Sequence, residues 1–179
     1  TRQPTPAEIG TATHLVLQQV DLTQQPTLAS LGETVDTLVT QGLLTTEVAA
    51  KIALPTLMTF FESTLGQQLL LHPKAVQREM PFSLLLPATR LFQQLPAGED
   101  AQVLIHGIMD GYLVTPEDVI LFDYKTDHVG LKQPEKRQAL LKERYRGQIN
   151  LYAAALAQLL QRPVTQRYLY LLASGDLLA

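Results

Sequence analysis

The spacing of apolar positions divides the chain into a helical first part, residues 1–70, and a second part, residues 71–179, with strands and one long helix. In the first part apolar residues recur every three or four positions, which predicts helices over residues 6–20 and about 28–41. The sequence Thr5-Pro6-Ala7-Glu8 supports the first of these starts. Thr caps a helix, Pro fits its first turn, and Glu three residues after the cap closes a capping box.

Helix-breaking residues delimit the rest of the first part. Gly42 ends the second helix, because glycine readily adopts the left-handed conformation that follows a helix. Thr45 or Thr46 caps a third helix, and Pro55 interrupts that helix. We therefore expect a break or a new helix at Pro55 that continues to about Leu65.

Four apolar or alternating runs predict the strands of the second part, and they cover residues 76–86, 102–114, 119–124 and 164–172. We expect a turn at residues 95–100 and a hairpin at Thr115-Pro116-Glu117-Asp118. A long helix is predicted over residues 135–161, and Pro163 ends it. The order β-β-β-α-β predicts an α/β fold with a central mixed sheet of about four strands flanked by helices. No repeat or linker is found, so one domain over residues 1–179 is the simplest interpretation.

The composition is that of a globular protein, because 46% of the 179 residues are hydrophobic and 17% are charged. The absence of cysteine excludes a disulfide scaffold, a thiolate zinc site, an iron–sulfur cluster and a cysteine nucleophile. No apolar run approaches the length of about 18 residues that a transmembrane helix needs. The N-terminus lacks the apolar stretch of a signal peptide, so we expect a cytoplasmic location and no membrane partner.

The net charge of −3 argues against a general nucleic-acid binder, but the basic residues are unevenly distributed. Residues 125–146 contain seven of the fourteen Lys and Arg residues and three acids, whereas residues 1–100 contain five basic and nine acidic residues. A basic stripe on an acidic body can contact a phosphate backbone. The candidates for such a phosphate track are Arg137, Lys142, Arg144 and Arg146, and the alternative is an ordinary solvated helix face.

Three residues at the ends of the predicted hairpin strands are candidates for chemistry. Asp123 and Lys125 are two apart in one strand and so lie on the same face, and the hairpin can bring Asp110 beside them. Gathering these charges in an apolar sheet is costly unless a divalent cation lies between the carboxylates, and hard oxygen ligands suit Mg²⁺ or Mn²⁺. The lysine would then orient or deprotonate a water, or stabilise charge on a phosphate. The alternative is a turn-flanking carboxylate and a solvated strand end.

The order of short motifs along the chain resembles that of a known family. Asp110 followed by Asp123-Tyr124-Lys125 resembles the signature of the PD-(D/E)xK nuclease superfamily. The fuller set resembles the RecB-type nucleases: Gly10 to His14 is similar to G-T-x-x-H, Arg78 to Phe82 to R-E-x-P-F, Gly107 to Gly111 to G-x-x-D-x, Asp123 to Asp127 to D-Y-K-T-D, and Gln148 with Tyr152 to Q-x-x-x-Y. Within that group the chain resembles the C-terminal nuclease domain of the AddA (RexA) subunit of bacterial ATP-dependent helicase–nucleases.

The resemblance implies a role for each matching residue. His14, Asp110 and Asp123 would be metal ligands together with the backbone carbonyl of Tyr124, and Lys125 would be the catalytic lysine. Gln148 and Tyr152 would complete the catalytic set from the long helix, four apart and therefore on one face. The family hydrolyses phosphodiester bonds in a metal-dependent reaction, so Mg²⁺, or Mn²⁺ in its place, is the implied cofactor.

Several of these residues have ordinary alternatives. A lone helical histidine such as His14 is commonly a packed or surface residue, and Tyr152 can be core with Gln148 merely exposed. Gly10, one turn before His14, would let another element approach the helix. Glu79 can be a hydrogen-bond acceptor behind the ligands, a partner of Arg78, or an outward strand residue.

The departures from the family pattern narrow the prediction. Met109 stands where a proline often precedes the first aspartate, and the lack of cysteine rules out the AddB-type subunits with their iron–sulfur staple. No ATP-binding loop is present, so the resemblance implies a domain from a longer helicase–nuclease chain. The predicted function is a metal-dependent DNA exonuclease domain in double-strand-break end processing for recombinational repair. Its predicted partners are single-stranded DNA and an AddB-type subunit. The alternatives are an idle module for DNA binding or subunit docking, and a stand-alone RecB-like nuclease.

Overall fold

The computed structural model describes residues 2–91, 100–128 and 130–179. Most of the turn predicted at residues 95–100 lies outside these ranges, as only Asp100 is described. No helix in the described ranges is long and apolar enough to span a bilayer.

Five helices form the first part, and they are α1 (Pro6–Gln19), α2 (Leu28–Thr40), α3 (Thr46–Ala49), α4 (Leu54–Glu62) and α5 (Thr64–Leu71). The capping box predicted at Thr5 and Glu8 is present, and Thr45 caps α3. Gly42 adopts a φ of 73° after α2, as the sequence predicted. These local signals placed the starts of α1 and α3 and the end of α2, because capping depends only on neighbouring residues.

The prediction of one helix from Pro55 to about Leu65 was wrong. The chain ends α4 at Glu62 and starts α5 at Thr64, and the Ser63 hydroxyl caps α5 by accepting from the Gly66 amide at 3.1 Å. A Cβ at Gly66 would lie 2.2 Å from the Phe60 carbonyl oxygen, so the two helices turn too closely there for any larger residue.

The second part forms one mixed sheet in the order β1 (Val76–Pro87), β2 (Gln102–Val114), β3 (Val119–Lys125), β4 (Gln166–Leu171) and β5 (Asp176–Leu178). A four-residue helix, α6 (Ala88–Leu91), follows β1. All neighbouring strands are antiparallel except β3 and β4, which are parallel and joined by the long helix α7 (Pro134–Leu160). The α/β fold and the β-β-β-α-β order are therefore confirmed. Within the described ranges the sheet has five strands rather than about four, since a turn with Gly175 at a φ of 76° adds β5.

The sheet separates two apolar layers. On one side Phe122 and Tyr124 of β3 pack with Phe60 and the other core residues of α1, α2, α4 and α5. On the other side Val119 and Leu121 of β3 pack with the inner face of α7. Because strand residues alternate in direction, Asp123 and Lys125 continue the series that faces α7.

The β1–β2 ladder changes the layer it faces partway along its length. Val76 packs in the layer of the N-terminal helices, but Met80, which has the same parity, packs with α7. The change occurs at Glu79, a non-glycine residue with a left-handed φ of 52°. The register on either side, Arg78 with Gly111 and Met80 with Met109, puts Glu79 opposite Asp110. Asp110 therefore lies where the sheet passes from one helical layer to the other.

Candidate active site

His14 reaches the sheet because α1 crosses it closely. The nearest strand-end residue is Thr126, whose hydroxyl oxygen lies 2.8 Å from the position that a Cβ of Gly10 would take. The Arg78 guanidinium donates to the carbonyls of Leu17 and Val20 at 3.0 and 2.6 Å, at the C-terminal end of α1, where backbone carbonyls lack helical partners. Gly10 thus lets the N-terminal half of α1 approach the sheet closely, and Arg78 holds the C-terminal end of α1. The close approach predicted at Gly10 is confirmed.

The imidazole of His14 is oriented by two backbone carbonyls. Its Nδ1 lies 3.0 Å from the Gly10 carbonyl oxygen and its Nε2 lies 3.1 Å from the carbonyl oxygen of Tyr124. The same Nε2 lies 3.3 Å from Oδ2 of Asp110. Burial lowers the pKa of His14, but the hydrogen bond and the charge of Asp110 outweigh burial and raise this pKa to about 9. Without a metal ion, the protonated imidazole links Asp110 to the strand carbonyl.

The two aspartates are adjacent, as the hairpin prediction required. Asp110 accepts a hydrogen bond from the Tyr124 amide at 2.7 Å. Burial opposes ionisation of Asp110, but hydrogen bonds from His14 and Asp123 prevail and lower its pKa. Burial and the neighbouring Asp110 carboxylate raise the pKa of Asp123 to about 7. Two ionised carboxylates side by side repel each other, and a cation between them would relieve this repulsion.

Lys125 points toward Asp123 and α7. Its Nζ lies 3.0 Å from Oδ2 of Asp123 and donates to Oε1 of Gln148 at 2.6 Å. The Nε2 of Gln148 in turn donates to the Tyr152 hydroxyl at 3.2 Å. The predicted common face of Gln148 and Tyr152 is thus the face that α7 presents to the aspartates. Tyr152 also packs edge-on against Phe82, with ring centroids 5.2 Å apart.

The donor atoms near His14 have the composition of a divalent metal site. The carbonyl oxygen of Tyr124 and Oδ2 of Asp110 lie 3.1 and 3.3 Å from Nε2 of His14. When the imidazole is neutral, three acceptors facing one another need a proton or a cation between them. Adjacent ligands of an octahedral ion with bonds of about 2.1 Å lie about 3 Å apart, so the set fits Mg²⁺ or Mn²⁺. Among the described residues, no group of three His, Asp or Glu side chains is placed to hold a metal ion. One of the three donors at His14 is a backbone carbonyl, and the Asp123 carboxylate contacts Lys125 instead.

Comparison with known protein families assigns this chain to a family of enzymes. A family model described as the PD-(D/E)XK nuclease superfamily matches residues 1–176. The chain belongs to the PD-(D/E)XK nuclease superfamily.

Curated relatives extend the family assignment. Proteins named as ATP-dependent helicase/nuclease subunits, from Levilactobacillus brevis, Lactiplantibacillus plantarum and Enterococcus faecalis, are 53%, 52% and 43% identical to this chain. The alignments cover 99%, 95% and 96% of this chain, but only 14%, 13% and 14% of those proteins. The chain therefore spans about one seventh of the length of these relatives. The resemblance to the AddA nuclease domains is confirmed.

Only part of the predicted phosphate track on α7 is free of acidic partners among the described residues. Arg137 donates to the Asp176 carboxylate at 2.6 Å and Arg144 to that of Asp127 at 2.9 Å, so both are occupied by acids. Lys142 and Arg146 instead line a pocket of about 170 Å³ together with Arg167 of β4, which the sequence did not indicate. Among the described residues, no acidic side chain lines this pocket.

Glu79 lies in the same cleft as the candidate ligands. This cleft, about 480 Å³ in volume, is lined by Glu79, His14, Asp110 and residues of α1. The carboxylate is exposed, and its expected partner Arg78 instead binds the end of α1. The exposure of Glu79 agrees with the alternative that it is an outward-facing strand residue. The sequence did not indicate its left-handed backbone or its place opposite Asp110.

Tyr145 is a contact of the site that the motifs did not indicate. Its ring centroid lies 4.4 Å from Nζ of Lys125, and its hydroxyl donates to Asp127. The sequence spacing could have indicated this contact, because Tyr145 precedes Gln148 by three residues and helix residues three apart share a face.

Proposed function

We propose that this chain is a metal-dependent DNA exonuclease domain. The observation that supports this most strongly is the convergence of His14 Nε2, the Tyr124 carbonyl and Asp110 Oδ2 beside the Asp123–Lys125 pair. Nitrogen, carbonyl and carboxylate donors next to one ammonium suit a reaction in which negative charge builds up on a phosphate. Membership of a nuclease superfamily agrees with that chemistry.

The proposed cofactor is Mg²⁺, with Mn²⁺ as the alternative. His14, Asp110 and the Tyr124 carbonyl would hold the ion, and Asp123 would join them by turning from Lys125. The ion supplies a polarised phosphate oxygen and a water of lowered pKa. Lys125 then holds its ammonium group next to the reacting phosphate and orients the water. Gln148 fixes Lys125 through the 2.6 Å bond and is itself fixed by Tyr152.

The proposed DNA contacts run from the aspartates along α7. Lys142, Arg146 and Arg167 have no acidic side chain of the described residues beside them in their pocket and would bind phosphates of the strand. Each phosphate contact releases condensed counterions, so we expect DNA affinity to fall steeply as salt is raised.

The biological setting is also a proposal. Because the chain spans only 13–14% of relatives named as helicase/nuclease subunits, we infer that it is part of a longer chain of that kind. In that setting a helicase part would deliver a single strand to the nuclease site during double-strand-break end processing for recombinational repair. An AddB-type subunit would be the partner, and the cytoplasm stays the predicted location.

A cleavage assay tests the central proposal. End-labelled linear DNA, single- and double-stranded, is incubated with the protein in Mg²⁺, Mn²⁺ or EDTA, beside Lys125→Ala and Asp123→Ala. Lys132→Ala is the matched control, because Lys132 is exposed and lies outside the motifs. Metal-dependent shortening from an end, lost in the first two variants and retained in the control, is expected. Cleavage that persists in Lys125→Ala would contradict the proposal.

A catalytically idle module is the second candidate, because the metal-free site is already neutralised by the His14–Asp110 and Lys125–Asp123 pairs. Calorimetric titration with Mn²⁺ discriminates between the two candidates. Binding that is lost in both Asp110→Asn and Asp123→Asn favours the nuclease. Absence of Mn²⁺ binding, combined with retained DNA binding, favours the idle module.

A further inference from the structure

Lys125 is held by three neighbours of different chemistry. Its Nζ contacts the Asp123 carboxylate at 3.0 Å, the Gln148 amide oxygen at 2.6 Å and the face of the Tyr145 ring at 4.4 Å from the centroid. A lysine side chain has a flexible four-carbon stem and loses rotamer entropy when it is fixed. A single contact would not hold the ammonium group in one place.

The three contacts are not equivalent in the proposed reaction. Asp123 is also a proposed metal ligand, so a bound cation competes with Lys125 for its carboxylate. Gln148 and Tyr145 have no such second role. When Asp123 turns to the cation, the ammonium group therefore depends on the amide oxygen and the aromatic face.

The Tyr145 ring is itself fixed on two sides. Its hydroxyl donates to Oδ2 of Asp127, the atom that also accepts from Arg144 at 2.9 Å. The side chain packs against a small core made by α7, β4 and β5, whose buried members are Leu141, Leu169, Leu171 and Leu178. The ring therefore has a fixed position beside Lys125 before any substrate binds.

The charge of Asp127 is stable in this arrangement. Burial raises its pKa, but the hydrogen bonds from Tyr145 and Arg144 outweigh burial and the pKa is lowered. An ionised Asp127 is the stronger acceptor for the tyrosine hydroxyl. Arg144 and Tyr145 of α7 thus both donate to Asp127, which follows β3 in the chain. These two hydrogen bonds tie α7 to the end of β3 beside Lys125.

We propose that Tyr145 is a positioning residue for Lys125, whose ring face holds the ammonium group near the reacting phosphate while Asp127 holds the ring. The proposal rests on the nuclease function proposed above. The geometry that carries it is the 4.4 Å contact of Nζ with the ring and the hydrogen bond of the ring hydroxyl to Asp127. Tyr145 touches neither the proposed metal ligands nor the reacting atoms in this role.

The test compares Tyr145→Phe, which keeps the ring, with Tyr145→Leu, which keeps apolar packing but loses the ring. Tyr168→Leu is the matched control, because it removes a partly buried ring from β4 that lies in the other core layer. We expect Tyr145→Leu to lower kcat about tenfold, equivalent to about 1.4 kcal/mol, with KM and Mn²⁺ affinity within about twofold of the parent. Tyr145→Phe should restore most of kcat, and Tyr168→Leu should leave kcat unchanged.

A second measurement does not depend on cleavage. Because Nζ of Lys125 lies 4.4 Å from the Tyr145 ring centroid, the ring current should shift the proton resonances of the adjacent ε-methylene upfield, and the signal is assigned by its loss in Lys125→Arg. We expect this shift in the parent protein and in Tyr145→Phe, and its loss in Tyr145→Leu. If the parent protein cleaves no DNA, the proposed function fails but the ring-current shift still tests the position of Lys125.

Three results would overturn the proposal. The first is an unshifted Lys125 signal in the parent protein. The second is an unchanged kcat in Tyr145→Leu although the signal moves. The third is a decrease of kcat in Tyr145→Phe as large as that in Tyr145→Leu, which would assign the effect on kcat to the tyrosine hydroxyl alone.

Discussion

Glu79 lies opposite Asp110 in the β1–β2 ladder, at the point where both strands change the helical layer that they face. The change explains how one short strand residue, Asp110, can meet both His14 of α1 and the amide of Tyr124. A regular strand would have pointed Asp110 into only one of the two layers. The left-handed backbone of Glu79 is thus part of how the site is built.

The backbone at Glu79 stores strain that glycine would release. A left-handed conformation costs an L-residue about 1–2 kcal/mol, whereas glycine adopts it freely but loses more entropy on folding. We expect Glu79→Gly to raise the free energy of unfolding by about 0.5–1 kcal/mol, measured by urea denaturation without metal. Glu79→Ala is the control, since it removes the carboxylate but keeps the strain. Equal stability of the two variants would show that the backbone is unstrained.

Arg78 is expected to matter for metal binding although it lies far from the ligands in sequence. Its guanidinium donates to the carbonyls of Leu17 and Val20 at the C-terminal end of α1, and hydrogen bonds from charged donors contribute about 1.5–3 kcal/mol. Arg78→Ala should therefore lower the free energy of unfolding and weaken Mn²⁺ binding in calorimetry, because the helix that carries His14 loosens. Exposed Arg90 supplies the control Arg90→Ala, which should change neither quantity. Unaltered Mn²⁺ affinity in Arg78→Ala would mean that His14 is held by other contacts.

Two helical glycines give opposite predictions for the same substitution. A Cβ at Gly32 of α2 would meet no atom within 4 Å, so Gly32→Ala should stabilise the fold by about 0.5–1 kcal/mol through helix propensity. A Cβ at Gly10 would lie 2.8 Å from the Thr126 hydroxyl oxygen. Gly10→Ala should gain less stability, or lose it, and should weaken Mn²⁺ binding by moving His14. Thermal unfolding and calorimetry of the two variants check this, and equal gains in both would refute the close approach.

The Arg137–Asp176 pair predicts a pH dependence of stability. Hydrogen bonding to Arg137 lowers the pKa of Asp176 below its ordinary value, although burial opposes this. A carboxyl with a depressed folded-state pKa stabilises the protein above its unfolded pKa of about 3.9, and this stabilisation disappears as pH falls through the folded value. We expect Arg137→Gln to lower the urea midpoint at pH 7 and to lower it progressively less below pH 4.

A double-mutant cycle separates this pair from its other contacts. Asp176 also accepts from Ser174 and Gln138, so the single variants Arg137→Gln and Asp176→Asn are compared with the double variant. The coupling free energy should be favourable at pH 7 and should decrease as the pH falls through the depressed folded-state pKa of Asp176. A coupling that does not change with pH would rule out an ionised Asp176 as its source.

Local rules determined much of this protein from its sequence. Capping residues and apolar periodicity placed α1, α2 and α7 to within about one residue, because both depend on neighbours along the chain. Strand alternation put Asp123 and Lys125 on one face, and the hairpin brought Asp110 to them. The helical period put Gln148 and Tyr152 together in the same way.

Long-range packing decided the rest. His14 meets the Tyr124 carbonyl across 110 positions, and Arg78 binds the end of α1 across about 60, which no local period encodes. The same holds for Arg137 and Arg144, which the charge pattern placed on a phosphate track and the fold pairs with acids. A charged side chain takes the partner that tertiary structure brings nearest, so the sequence by itself determined the chemical groups of the site, and only the packing of α1 and α7 on the sheet decided which of them meet.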